Sequence, residues 1–491
     1  VFHALDYGVL AGYFGVCAFV GWWTGRGQKD SAEYFKGGGQ MPVWAVCLSI
    51  LASEMSALTF CSVPGMSYTG NFTYFQFVLG NFFGRLLVAF LFIPAFYTAG
   101  ITSVYEFLGL RFGPLTRGTA SLLFFVTRIL ASGVRVTAAA IAVKAATGWP
   151  FPACVIGFTA VTVLYTVYGG IKSIIWTDVL QFFLFFGGAA FALALILGDV
   201  GGSGLQQAIA DSPTRKLQVV DPTWTFYDPP YTLLTSIFGG VVFTFATHGT
   251  DQDLVQRMLT CRGSRQGSQS VILSGLISLP TVLLFLFIGT CLYAFYLHHP
   301  DLRSALPTDP VDGAVRQDWI FPHFIVHQLP SGIRGLVMAA VFAAAMSTTA
   351  SAIGALALVA MVDGIRRFSR RPPDERRDLA LSRVMSATVS GLLIVVALVF
   401  ERVSKSLLNE GLAVMTYAYG ALLGVFCLGR LTRSRGSDRW NVIAMLLSVV
   451  TVVAVKIWTP IAWPWFTVIG FAMTFALGAF FPGPRPTEAA I

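Results

Sequence analysis

Apolar residues in this chain gather in long runs separated by short polar segments. Thirteen runs can be drawn, at about 5–23, 43–68, 73–98, 119–146, 150–168, 174–198, 232–248, 270–297, 334–362, 379–400, 411–430, 440–458 and 462–481. A helix of about 20 residues crosses the hydrocarbon core of a bilayer. The pattern therefore predicts an all-α membrane protein of 13 transmembrane helices, forming one transmembrane domain over 1–491. The first run has no basic residues ahead of it and no plain cleavage site, so it reads as a retained span and not a signal peptide. The long segments 199–231 and 298–333 contain Pro, Asp and Trp and are expected to carry short surface helices over an entrance.

One run departs from the pattern. The middle of 43–68, Ala52-Ser53-Glu54-Met55-Ser56, does not suit hydrocarbon. A carboxylate at mid-depth costs about 2.5–3.5 kcal/mol on insertion scales. The small and hydroxyl residues beside Glu54 predict that the helix opens there and presents free backbone carbonyls. Broken helices near the midplane are where secondary transporters bind ions and substrates. Glu54 then reads either as a carboxylate satisfied by a neighbouring arginine, or as a contact for a cation, a polar solute or a proton.

Setting the first run aside, the next ten divide into two fives, about 43–198 and 232–430, leaving 5–23, 440–458 and 462–481 as extra helices. Five is odd, so the halves would run in opposite senses, the arrangement of an inverted-repeat transporter. The first helix of the second half should then also be discontinuous. Gly239-Gly240 is its weak point, although glycine also serves close helix packing in membranes.

Basic residues set the orientation. With the N-terminus outside, the cytoplasmic segments hold Arg26, Lys29, Lys36, Arg111, Arg117, Lys172, Arg257, Arg262, Arg265 and the arginine clusters at 366–377 and 430–439. The outer segments hold only Arg215, Lys216, Arg303, Arg316, Arg402 and Lys405. This asymmetry predicts N-out and C-in, and it explains the net charge of +9 without nucleic acid. Only 12% of residues are charged, against about 25% in soluble domains, and contact with membrane lipid is implied. Seven cysteines, mostly within apolar runs and with no Cys-x-x-Cys pair, point to buried packing and not to disulfides or zinc. No phosphate-binding loop and no hydrolase motif is present, so neither ATP-driven transport nor an enzyme is expected. No obligate protein partner is indicated.

Further candidates lie inside the runs. Arg128 and Arg135 are seven apart and share a helix face. Either can pair with Glu54, receive a solute carboxylate through a two-pronged hydrogen bond, or serve structure alone. Arg85 and Lys144 sit nearer run ends and are expected to snorkel. Asp178 reads as a helix-start acid favoured by the macrodipole, or as an oxygen ligand for Na⁺. Ser347, Thr348, Thr349 and Ser351 either bond their own backbone or complete an oxygen shell for a hard cation opposite Ala52 and Met55.

Several segments together resemble the sodium:solute symporter family, which includes sodium–proline, sodium–galactose and bacterial sialic acid transporters. They are YFKGGGQMPVWA, ASEMSALTF, ITSVYEFLGLRFG, YTVYGGIKSIIWTDVLQ, GTDQDLVQR and FAAAMSTTAS. The resemblance implies a LeuT-like fold working by alternating access, with Na⁺ as coupling ion, a small-molecule solute and a bacterial inner-membrane location. It implies a main Na⁺ site at Ala52, Met55, Ser347, Ala350 and Ser351, where Ala350 departs from the family's usual hydroxyl. It also implies a second site using Asp178 with Ser347 and Ser351. By position, the solute pocket would use Glu54, Ser56, Thr59 and Asn81. The arginine that reads a carboxylate in the sialic acid branch would fall at Ala131, about one turn from both Arg128 and Arg135. A carboxylate-bearing or zwitterionic solute is favoured, with a sugar or polyol next. Proton coupling through Glu54, and a membrane solute sensor, are the rival readings.

Overall fold

The computed structural model describes residues 3–483 apart from 27, 29, 56, 309–312, 371, 373 and 402–404. The main helices are α1 (Ala4–Gly25), α2 (Val43–Glu54), α3 (Ala57–Thr69), α4 (Tyr74–Thr98), α5 (Pro114–Thr147), α6 (Phe151–Ala210), α7 (Leu233–Thr250) and α8 (Gln252–Met258). They continue as α9 (Ser264–His298), α10 (Gln317–Gln328), α11 (Ile333–Val359), α12 (Glu375–Glu401), α13 (Lys405–Leu431), α14 (Asp438–Trp458) and α15 (Pro464–Phe480). Nine helical stretches among the described residues are long and apolar enough to cross a membrane. The longest, α6, changes direction at Gly170 (φ 55°) and again at Gly201 (φ 68°). At Gly170 a side chain is excluded twice over. The left-handed backbone disfavours one, and a Cβ would lie 2.5 Å from the Tyr34 carbonyl oxygen.

Burial separates centre from periphery. In the stretch Ile333–Arg366, which contains α11, 94% of the most apolar window is buried, against 28% for α1, α12 and α14. Sequence explains this. Between Ala339 and Ala357 the helix α11 is mostly Ala, Ser, Thr and Gly, so other helices approach it closely, whereas α14 presents Leu446, Leu447 and Val450 outward. The start of α11 is clasped by α1. Asp6 accepts the N–H groups of Gly332 (2.7 Å) and Gly335 (2.9 Å) and pairs with Arg334 (3.0 Å). The acid satisfies donors that a helix N-terminus leaves free.

The expected break at Gly239-Gly240 is absent, because α7 runs through both glycines without interruption. They serve packing instead. A Cβ on Gly240 would lie 2.6 Å from the Phe77 carbonyl of α4, and one on Gly80 would lie 2.7 Å from the carbonyls of Ser236 and Ile237. The break falls at Asp251 (φ −83°, ψ 118°), between α7 and α8. The segments 199–231 and 298–333 do carry helix, in the end of α6, at Pro300–Ser304 and in α10. Within the first of them, Lys216 folds over the end of α3. Its Nζ donates to the carbonyls of Tyr68 (2.6 Å), Ser67 (3.3 Å) and Gly70 (3.3 Å) and sits 4.0 Å from the Tyr293 ring centre. Burial lowers the Lys216 ammonium to about 8.

Candidate ion and solute site

The first break is where sequence places it. Helix α2 ends at Glu54, Met55 leaves the helical region (φ −79°, ψ 86°), and α3 begins at Ala57. The last carbonyls of α2, from Ala52 onward, thereby lose regular intrahelical partners. A small cavity of about 10 Å³, room for about one water-sized particle, lies against the break, lined by Ala52, Met55, Gln181, Phe182 and Ser347 among others. Ala52 and Met55 thus line one small cavity together with Ser347 of α11.

Glu54 turns inward. Arg85 of α4 donates to it at 2.6 Å, and His248 Nε2 of α7 lies against its other oxygen. Arg85 also donates to Ser274 (3.2 Å) and is itself only 3% exposed. The snorkelling expectation for Arg85 is therefore wrong: the residue sits inward and neutralises Glu54. Lys144, in contrast, is exposed and reaches Glu401 at 3.8 Å.

The two arginines of α5 part company. Arg128 is buried and pairs with Asp251 (2.9 Å) and with Asp253, so it fills the second break and not the first. Tyr419 of α13 donates to Asp251 at 2.8 Å. Arg135 is half-buried, and among the described residues no carboxylate lies within ion-pairing distance of it.

Asp178 is completely buried, eight residues past the turn at Gly170, so it is not a helix-start acid. It accepts from Ser49 of α2 (2.6 Å), Ser347 of α11 (2.6 Å) and Arg257 of α8 (3.0 Å). Arg257 also donates to Ser49 (2.8 Å), to Ser351, and to Asp253 on its own helix. Being 1% exposed, Arg257 does not belong among the cytoplasmic loop charges. The hydroxyls of α11 divide evenly. Ser347 and Ser351 join the Asp178–Arg257 group, whereas Thr348 and Thr349 bond the carbonyls of Ala344 and Ala345. Ala350, without a hydroxyl, is fully buried.

Asn81 is committed to a helix joint: with its amide nitrogen toward α7 it donates to Thr244 Oγ1 (2.9 Å) and Gly240 O (3.2 Å). Thr59 is half-buried near the start of α3. Ser56 lies outside the described residues. The groups that sequence reasoning passed over are His248, Asp251, Asp253, Arg257, Tyr419 and Ser49. A signal existed for the acids and Arg257, since GTDQDLVQR sets three ionisable residues at the edge of an apolar run.

The model of the sodium:solute symporter family matches residues 34–436. The sodium/sialic acid symporter SiaT of Proteus mirabilis is 27% identical over 96% of this chain and 93% of its own. The human sodium-coupled monocarboxylate transporter 1 is 31% identical over 94% of this chain and 74% of its own. A substrate-bound, outward-open Na⁺-coupled sialic acid symporter shares the fold with TM-score 0.87 and 26% identity, over 99% of this chain and all of that one. A nucleobase-cation-symport-1 transporter in a closed conformation shares the fold at 15% identity, with TM-score 0.60 over 95% of this chain and 98% of that one.

Proposed function

Because the chain belongs to the sodium:solute symporter family, a family of transporters and not enzymes, we propose that it imports a small carboxylate-bearing or zwitterionic solute together with Na⁺. The observation that carries this reading is the state of Glu54. An unpaired carboxylate beside the pocket would repel an anion, but Arg85 and His248 already compensate it. Arg135, half-buried and without an acid partner among the described residues, is then the guanidinium available to a solute carboxylate. The sialic acid and monocarboxylate transporters among the relatives are in keeping with such a solute.

Sodium binds between the carbonyls of Ala52 and Met55 and the hydroxyls of Ser347 and Ser351. Ala350 leaves that shell one hydroxyl short, and Asp178 belongs to a second site or to the exit path. Ion binding at the break holds the outward-open form, and solute binding closes the outer side. The 13 helices cross a bacterial inner membrane with the N-terminus outside and the C-terminus inside. The segments 43–198 and 232–430 are inverted repeats whose first helices break at Met55 and Asp251. The decisive experiment is uptake into proteoliposomes with and without an imposed Na⁺ gradient. Uptake is expected to follow the gradient, and equal uptake in both would defeat the proposal.

One observation favours a second reading. His248 against Glu54 is an imidazole–carboxylate pair able to hold a proton at the break. If the protein couples to protons, a pH gradient drives uptake in sodium-free buffer and Glu54→Gln abolishes that coupling.

A further inference from the structure

The group around Asp178 is assembled from four helices that are distant in sequence. Ser49 comes from α2, Asp178 from α6, Arg257 from α8, and Ser347 and Ser351 from α11. Ser49 Oγ, Asp178 Oδ2 and Ser351 Oγ all receive N–H donors from one guanidinium. With Ser347 Oγ on the other carboxylate oxygen, these atoms form an all-oxygen cradle of a kind that hard cations select. All four oxygen-bearing residues are at most 1% exposed. The cradle therefore takes a cation out of water entirely, and in this structure that cation belongs to the chain.

We propose that Arg257 competes with Na⁺ for the second site implied by the family, Asp178 with Ser347 and Ser351, to which Ser49 adds an oxygen here. The proposal rests on the sodium-coupled reading above and adds the competitor. Two features make the exchange feasible. First, Asp178 keeps a positive partner in either state, so the swap never leaves a buried carboxylate unpaired, which would be its costly form. Second, Arg257 has somewhere to go: its Nη1 already donates to both the backbone and the side-chain oxygens of Asp253, one turn back on the same helix. On release it keeps those bonds and gives up Ser49, Asp178 and Ser351.

The consequence is mechanical. With Arg257 in the cradle, α8 is fastened to α2, α6 and α11. With Na⁺ in the cradle, those three helices hold together through the ion and α8 is let go. A ligand shifts a conformational equilibrium only through differential affinity. Here the difference is direct, because both cations claim Ser49 Oγ, Asp178 Oδ2 and Ser351 Oγ.

The test is sodium titration of the purified protein by calorimetry, with choline as the control cation. Wild type is compared with Arg257→Gln, Arg257→Lys and the double variant Asp178→Asn/Arg257→Gln. Arg257→Gln is expected to bind Na⁺ at least tenfold more tightly than wild type, Arg257→Lys to stay close to wild type, and the double variant to lose the gain. Unchanged affinity in Arg257→Gln overturns the proposal. Should that variant not fold, amide hydrogen exchange of residues 252–258 in the wild type decides. Exchange accelerated by Na⁺ supports release of α8, and unaltered exchange overturns it. Gradient-driven uptake by the wild type is measured alongside. If uptake follows Na⁺ while the titration shows no competition, this inference alone falls. If uptake ignores Na⁺, the symport reading falls first.

Discussion

The two broken helices use the same backbone device and fill it differently. At Met55 the gap between α2 and α3 borders a pocket, and its one acid, Glu54, is met by Arg85 and His248 from neighbouring helices. At Asp251 the gap between α7 and α8 is plugged by the protein's own charges, with Arg128 bridging Asp251 and Asp253 while Tyr419 seals the first acid. The lesson is that opening a helix in a membrane creates polar demand, which either an exchangeable ligand or a permanent ion pair can meet. The first gap borders a small cavity lined by Ala52, Met55 and Ser347. The second is an electrostatic joint, and Arg257 of the same short helix ties it to Asp178.

The comparison breaks most sharply at Arg128. Replacing it with Met leaves buried Asp251 without a cation, while Asp253 keeps Arg257, and the loss of stability is expected at about 3–5 kcal/mol, read by thermal unfolding in detergent. Little or no loss would mean that the second gap is not permanently filled. Glu54→Gln tests the first gap. Arg85 then faces a neutral amide, with an expected loss of about 1–3 kcal/mol in unfolding and weaker Na⁺-dependent uptake. Ala350→Ser sharpens the contrast by returning a hydroxyl to α11. The half-saturating Na⁺ concentration for uptake is expected to fall about fivefold, equivalent to about 1 kcal/mol. The smallest effect is expected away from both gaps, at Lys216. Its ammonium is lowered from 10.5 to about 8, so the folded chain holds that proton less tightly than the unfolded chain does. Stability from this residue is present in full above pH 10.5 and is lost as pH falls through about 8. Lys216→Met should flatten the rise in unfolding temperature between those limits.

The bulk of the architecture was legible because hydropathy is a one-dimensional property, and the first gap was legible because a carboxylate in an apolar run is costly wherever it points. The second gap was misplaced by a physical ambiguity. Glycine marks both a weak helix and a close contact, and Gly239-Gly240 proved to be the contact. The break itself sits three residues beyond the apolar run, at an acid whose Oδ1 caps the next helix by accepting from Asp253 N. Arg85 was misread as lying near a run end, whereas it sits at the middle of 73–98, and its partner Glu54 lies 31 residues away. The separate fates of Arg128 and Arg135 are tertiary facts of the same kind: identical residues on one helix face, of which, among the described residues, Arg128 alone is ion-paired to acids.

The glycine seam between α4 and α7 limits how this molecule can rearrange. Backbones that touch at Gly80 and Gly240, stitched by Asn81, cannot slide or tilt without collision. One rod from each half of the chain is in effect welded to the other. Arg85 and His248 ride on those two rods, so the pair that steadies Glu54 is carried by a single rigid seam.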